Sequence, residues 1–319
     1  MTRRIFSLLL FLLVLPAWVC AQSGGVSVPF RPQVAERHPG VFSLSEGVRL
    51  TGDPRLTVLL SDGMEVRGID LSPAARTKKS VEIEIEIVCE LSELPVAGRG
   101  QKNAYAISVT QRSAAIRATS LRAAVLACDA FNELYNNPVA EKSGRRDRGI
   151  VLPCCKMVGW ETSSAAMSVF PARYQGSGDI LAHIHDCIRE GIGTIGLPMV
   201  TFEGWLTEGR VMSLINPGQK IHAGNCYGYS ELNMLRDKLA EYGIELRPSF
   251  DLVVRNEFFE QATGHAMLSL EGMRFVYVLL EEFFNFTAFD TIHVALPDKM
   301  RNAFIERLAE ECPEHKILF

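Results

Sequence analysis

The segment Thr291–Asp298, with the sequence TIHVALPD, holds the carboxylate best placed for chemistry. A short apolar run that favours a β-strand ends in a turn, and Asp298 follows Pro297 directly. In parallel α/β sheets, catalytic groups lie at the carboxyl ends of the strands. The position of Asp298 therefore predicts a catalytic acid, provided that the neighbouring segments build such a sheet around it.

Composition narrows the class of protein. The chain has 319 residues, a net charge of −4, 47% hydrophobic residues and 22% charged residues. These are ordinary values for a globular protein, and the length suits two domains. Because the chain is slightly acidic and has no basic stripe interleaved with aromatic residues, we expect no binding to nucleic acid.

The first 21 residues read as a signal peptide. A basic pair precedes the apolar run Ile5–Leu15, which is too short to span a bilayer, and Val19–Ala21 resembles a small-residue cleavage site. We expect export to the periplasm or the extracellular space. The alternative is a lipoprotein acylated at Cys20. No later run is long enough to predict a transmembrane segment in the mature chain.

The cysteines do not predict a metal centre. Of the eight cysteines in the sequence, seven remain after the signal peptide, and they form an odd, scattered set. Their spacing is not typical of a disulfide framework or of zinc ligands. We expect no metal and no cofactor, and the sequence leaves open whether one or two disulfides form.

Residues 22–150 predict a small α+β domain that ends in a polar linker. Val81–Leu91 alternates apolar residues with glutamates, which is typical of an antiparallel strand with one solvated face. Periodicity and turn residues predict the other elements: strands at Val41–Leu44 and Arg55–Leu60, a hairpin over Ala104–Arg117 and a helix over Leu121–Tyr135.

Residues 151–319 predict an α/β domain of alternating strands and helices. Such alternation indicates right-handed βαβ units and a parallel sheet. The predicted strands are Ala165–Phe170, Thr194–Val200, Ile244–Phe250, Thr291–Leu296 and His315–Phe319, and the predicted helices are Asp179–Glu190, Ser230–Tyr242, Leu270–Phe286 and Lys299–Cys312. About five parallel strands make an incomplete (β/α) barrel. Its open sheet edges would need a cover, such as a homo-oligomer.

Three segments together resemble glycoside hydrolase family 20, the β-N-acetylhexosaminidases. Ile195–Trp205 (IGLPMVTFEGW) is similar to the family's second barrel strand and the loop after it. Gly224–Asp251 is similar to the family's segment that reads GG-Y-T-x-E, then a helix, then RGI-x-VIPEID, and Phe289–Asp298 is similar to the strand that ends in HIGGDE, in the same order. The segment from Asn103 to Leu134 also resembles the accessory domain that precedes the family's barrel. The likeness covers most of the mature chain.

The resemblance implies a substrate and a mechanism. In this family the 2-acetamido group of an N-acetylhexosamine attacks the anomeric carbon, an aspartate orients that group, and the adjacent glutamate is the general acid. Here Asp298 takes one of the two positions, and Pro297 or Lys299 takes the other. An aspartate in the acid position is one methylene shorter than glutamate. The acid proton would then lie farther from the leaving oxygen, and the reaction rate would fall on the order of 10²-fold.

The same resemblance implies that Asp251, His293, Trp205 and Glu203 contact the glycan. Each has a structural alternative. Trp205 would pack under a loop, His293 would be a core histidine, Asp251 would cap a strand end, and Glu203 would be solvated.

The sequence is compatible with two functions, one enzymatic and one not, and it does not decide between them. The first is an exported β-N-acetylhexosaminidase-like glycoside hydrolase that removes terminal N-acetylhexosamine residues, with Asp298 as a degraded acid site. The second is a non-catalytic relative that binds carbohydrate or acts as a scaffold. In both, the expected partner is an N-acetylhexosamine-containing glycan.

Overall fold

A computed structural model of the chain describes residues 32–44, 47–69, 71, 81–136, 150–162, 166–202, 204–209, 222–311 and 316–318. The predicted signal peptide, with Cys20, and the predicted glycan contact Glu203 lie outside these ranges. Within them, no helix is both long and apolar enough to cross a membrane.

The amino-terminal half is a six-stranded mixed sheet covered by two helices. The spatial order of the strands is β1-β6-β4-β5-β3-β2. Their bounds are β1 Val34–Ser43, β2 Val48–Gly52, β3 Val81–Ile87, β4 Ala104–Val109, β5 Ser113–Ala118 and β6 Val151–Trp160. The helices are α1 (Pro54–Glu65) and α2 (Leu121–Glu133), with short 3₁₀ turns at Val96–Gly98 and Leu134–Asn136.

Helix α1 corrects the strand predicted at Arg55–Leu60. The Asp53 side chain caps the helix by accepting the backbone N–H of Arg55 at 2.9 Å, and a proline occupies the first turn. A spacing of four places one apolar stripe on the core, formed by Leu56, Leu60 and Met64. The prediction was wrong because a short apolar run fits a strand and a helix equally well.

Two strands differ from their predicted setting. The alternation in β3 does leave its glutamates half-buried or exposed, but the strand runs parallel to both of its neighbours, β2 and β5, rather than antiparallel. Strand β6 pairs with β1 and β4 in the amino-terminal sheet. The first sheet therefore includes residues beyond residue 150, up to Trp160.

The carboxyl-terminal half is built on a five-stranded sheet in which every neighbouring pair is parallel. The spatial order is β14-β13-β12-β8-β7, and the small sheet β9-β10-β11 follows β8 along the chain. The bounds are β7 Ala166–Val169, β8 Ile192–Pro198, β9 Val200–Thr201, β10 Gly204–Thr207, β11 His222–Tyr227, β12 Glu245–Asp251, β13 Thr291–Ala295 and β14 Lys316–Leu318.

Within the described ranges, six helices accompany these strands: α3 Ser177–Ala182, α4 Ile184–Arg189, α5 Tyr229–Glu241, α6 Glu257–Thr263, α7 Leu270–Phe286 and α8 Asp298–Glu311. The single helix predicted over Asp179–Glu190 is split at His183. Helix α7 has the predicted bounds, because Ser269 accepts the N–H of Gly272 as a cap and the helix buries an apolar face. Gly243 ends α5 with φ +67°, a conformation that glycine adopts without strain.

The two halves share one continuous hydrophobic core. A buried ion pair also joins them. Arg122 on α2 and Glu161 after β6 are both almost fully buried, and the shortest contact between them is 2.7 Å. The guanidinium also donates to the carbonyl of Ile192, the first residue of β8, at 2.8 Å. The amide of Asn103 donates to Glu161 at 2.7 Å, so both charges are well paired.

Candidate glycan site

The carboxyl ends of the parallel strands meet along one edge of the second sheet, which is where this architecture places its chemistry. The last residues of the strands are Val169, Pro198, Asp251, Ala295 and Leu318. Strand β12 is central, and Asp251 pairs in register with Ala295 of β13. The two carboxylates predicted from the sequence therefore belong to neighbouring strand ends.

Asp251 is an exposed acceptor at the centre of this edge. Its Oδ1 accepts the backbone N–H of Val253 at 3.0 Å, which fixes the side chain over the turn that leaves β12. Its Oδ2 has no protein partner within the described ranges. The carboxylate is therefore held in place while one oxygen stays available to a hydroxyl or amide of a ligand.

Asp298 is the first residue of α8, and its side chain is 90% exposed. Its carboxylate forms an ion pair with Arg301, one turn along the same helix, at 2.8 Å. A carboxylate in the first helical turn interacts favourably with the helix dipole. Pro297 and Lys299 flank it, so the position offers one solvated carboxylate rather than a pair.

His293 lies half-buried in the middle of β13, in register with Ser249 of β12 and Leu318 of β14. Its strand neighbours Ile292 and Val294 are fully buried. His293 therefore lies on the opposite face of the sheet from them, two residues before Ala295, which ends the strand and pairs with Asp251.

That opposite face is only partly covered. On the outer strand β7, Met167 and Val169 are 53% and 57% exposed. On β12, the guanidinium of Arg247 pairs with Glu245 at 2.8 Å. Parallel sheets are normally covered on both faces, so this face is open in a way that a closed barrel would not allow.

Trp205 is fully buried on the core side. Its ring centroid lies 5.5 Å from that of Phe250 on β12, and Phe250 contacts Phe283 of α7 at 5.2 Å. Among the described residues, the indole N–H has no acceptor. Trp205 can therefore support the strand end from beneath, but it offers no surface to a ligand that arrives from solvent.

Phe202 and Asn256 also lie near this edge, and neither was predicted from the sequence as a site residue. Phe202 follows β9 at the carboxyl edge and is 67% exposed. Asn256 is buried, caps α6 by accepting the N–H of Phe259 at 2.8 Å, and donates to the carbonyl of Thr201 at 2.9 Å. Asparagine is a common helix cap, but no helix was predicted after Asn256. No pattern pointed to Phe202.

The described residues outline two clefts of appreciable size. One, of about 710 Å³, opens between the first halves of α7 and α8 and is floored by Met273, Tyr277 and Phe304. The second, of about 530 Å³, lies in the amino-terminal half beside Cys89 and Arg99. Neither is lined by Asp251, His293 or Asp298.

The described residues include no group of three histidine, cysteine or acidic side chains close enough to hold a metal ion. The described cysteines are all free. Most are buried, and burial raises the pKa of the Cys155 thiol to about 11. The buried cysteines behave as small core residues, whereas Cys89 is exposed.

Comparisons with known proteins show which solved structures this fold is similar to. Neither a protein-family model nor a curated protein matches the sequence. Solved structures do match. A family 20 exo-β-N-acetylglucosaminidase from Vibrio harveyi, in complex with N-acetylglucosamine, is 16% identical with a TM-score of 0.56. A mutant Streptomyces plicatus β-hexosaminidase in complex with the same sugar as product is 13% identical with a TM-score of 0.62. A β-N-acetylhexosaminidase from Bacteroides fragilis is 15% identical with a TM-score of 0.56.

These matches extend over nearly all of this chain but only part of the other proteins. They cover 90%, 91% and 92% of this chain and 50%, 64% and 65% of the respective structures. The chain thus spans about half to two-thirds of their length. At such identities the likeness shows the fold. The predicted resemblance to family 20 is confirmed at that level.

Proposed function

We propose that this protein binds N-acetylhexosamine-containing glycans at the carboxyl edge of its parallel sheet and does not cleave them. The observation that carries the proposal is Asp298, a single exposed carboxylate in an ion pair with Arg301 where the resemblance requires an aspartate–glutamate pair. The fold, shared with structures solved in complex with N-acetylglucosamine, supports the ligand class.

The chemical reason is that substrate-assisted hydrolysis needs two groups. One carboxylate must hold the acetamido group as it attacks, and an acid must protonate the departing oxygen. Pro297 cannot ionise, and Lys299 carries an amine rather than a carboxylate, so neither supplies the second carboxyl group. Asp298 can fill only one of the two roles.

The setting of this function is part of the proposal. The five parallel strands form a sector of a (β/α) barrel, and the protein is exported by its amino-terminal leader to the periplasm or the extracellular space. Within the described residues, β7 and β14 each pair with one strand only. A second copy of the chain that covers these edges would protect them from unspecific association.

A second candidate function is slow hydrolysis with Asp298 as the acid. The favouring observation is access, because the side chain is 90% exposed at the edge where a sugar would lie. In this case Asp251 would support the substrate. The shorter side chain predicts a rate on the order of 10² below that of an enzyme with glutamate in the same position.

One experiment separates the two. The mature protein would be assayed with a chromogenic N-acetylglucosaminide and titrated with N,N′-diacetylchitobiose in a calorimeter, beside Asp298→Ala and Glu310→Ala. Glu310 is a matched control, since it forms an exposed ion pair with Arg307 on the same helix. Binding without turnover supports the proposal. Turnover that only Asp298→Ala abolishes establishes hydrolysis, and the absence of both binding and turnover overturns both candidates.

A further inference from the structure

We infer that Phe202 is the stacking platform for a pyranose ring whose hydroxyl groups bind Asp251. This inference rests on the proposed glycan binding and names the surface that performs it. The platform belongs to an exposed apolar cluster that we call the rim patch, formed by Phe202, Val253 and Phe258.

Each residue of the rim patch exposes a large part of its surface to solvent. Its members are 67%, 58% and 40% exposed, respectively. Single exposed apolar side chains are common, but several on adjoining segments at a functional edge mark a binding surface. All three lie within seven residues of either Thr201 or Asp251 along the chain.

Hydrogen bonds bring these segments together. The N–H of Met199 donates to the carbonyl of Ser249 at 2.7 Å, so pairing with β12 continues past the end of β8. Two residues further on each chain, about 7 Å along at roughly 3.3 Å per residue, come Thr201 and Asp251. The amide of Asn256 then joins α6 to the carbonyl of Thr201 at 2.9 Å. The segment before Phe202 is therefore tied both to β12 and to α6.

Hydrogen bonds and packing support the segment that carries Phe202. The hydroxyl of Thr201 donates to the carbonyl of Gly204 at 3.0 Å, and Leu206 donates to the carbonyl of Met199 at 2.8 Å. Trp205 packs beneath this segment on Phe250. A ring held on such a support loses little conformational freedom when a ligand binds, which favours affinity.

The chemistry of the patch fits a sugar. A pyranose has an apolar C–H face, and moving that face from water onto an aromatic ring is favourable. It also has hydroxyl groups at its edge, and these bind strongly to an ionised carboxylate such as Asp251.

The test uses the full mature protein and N,N′-diacetylchitobiose in a titration calorimeter. Phe202→Ala should weaken binding on the order of tenfold or more, and Phe202→Trp should restore it, because the aromatic face is what matters. Asp251→Asn should also weaken binding. Leu270→Ala, at a side chain 78% exposed on α7, is the control and should bind as the parent does.

Each outcome decides a different question. If the parent binds and Phe202→Ala binds equally well, the platform is wrong while glycan binding stands. If the parent does not bind, the proposed function fails and the inference fails with it. If Phe202→Ala is weak and Phe202→Trp is equally weak, stacking is not the interaction, and the inference is also overturned. Thermal melts of every variant should match the parent, since Phe202 is not part of the core.

Discussion

The two ends of the parallel sheet differ in how their charged side chains are buried and paired. At the amino end, Arg122 and Glu161 are almost fully buried and satisfied by each other, by Asn103 and by the carbonyl of Ile192. At the carboxyl end, the Asp298 side chain is 90% exposed. Among the described residues, its ion-pair partner is Arg301 on the same helix.

The difference separates stability from chemistry. In (β/α) architectures the amino end of the strands holds the fold together and the carboxyl end carries function. The amino end of this sheet has a complete, desolvated network. The carboxyl end has carboxylates in water and an exposed aromatic ring. A surface of that kind suits the recognition of a ligand better than acid catalysis in a closed pocket.

The largest effect should come from breaking the buried pair. Arg122→Ala leaves Glu161 charged and unpaired in the core, so the free energy of unfolding should fall by about 3–5 kcal/mol. Urea denaturation measures it. The double variant Arg122→Met, Glu161→Leu should lose much less, since no charge is then left unpaired. If the free energy of unfolding of Arg122→Ala lay within about 1 kcal/mol of the parent value, the contrast between the two ends of the sheet would not hold.

Variants of Trp205 test whether this residue supports the glycan site from the core without contacting the glycan. Trp205→Ala should cost about 3 kcal/mol of stability through the cavity left beside Phe250. Trp205→Phe should keep most of the stability and leave diacetylchitobiose binding unchanged. Binding that is lost in Trp205→Phe, with the denaturation midpoint preserved, would show that the indole itself contacts the glycan.

Asp298 should matter little to the fold. Asp298→Asn removes an exposed pair within one helix and a favourable dipole interaction, so stability should fall by only about 0.5 kcal/mol. The urea midpoint measures this change. A loss above about 2 kcal/mol would mean that Asp298 is held by contacts far stronger than its surface ion pair.

The smallest effect concerns pH. Burial, and then the nearby guanidinium of Arg189, lower the pKa of His185 below its ordinary value of 6.5, while Asp129 and Asp186 act in the opposite direction. As pH falls through the unfolded value, the unfolded chain takes up the proton first, so stability decreases. His185→Gln should make the urea midpoint less sensitive between about pH 7.5 and pH 5.5. His183→Gln, at an exposed neighbour, is the control.

Some of the fold was readable from sequence because local and tertiary preferences agree there. Leu270–Phe286 has a serine cap and one long apolar face, so its bounds were predicted correctly. Arg55–Leu60 was misread as a strand because its run of six residues is too short for periodicity to decide. Strand β6 was missed because the sheet that it joins is formed with β1 and β4, which lie far away along the chain.

The sequence by itself determined the type of each strand end: a carboxylate after TIHVALP, another after the strand that ends in Asp251, and no glutamate beside Asp298. Side-chain chemistry is local, so residue types settle it. Tertiary structure alone decided which of these groups are available. It buried Trp205 under the edge, left Phe202 in solvent and paired Asp298 with Arg301. Exposure depends on which segments pack against one another, and no local pattern records that.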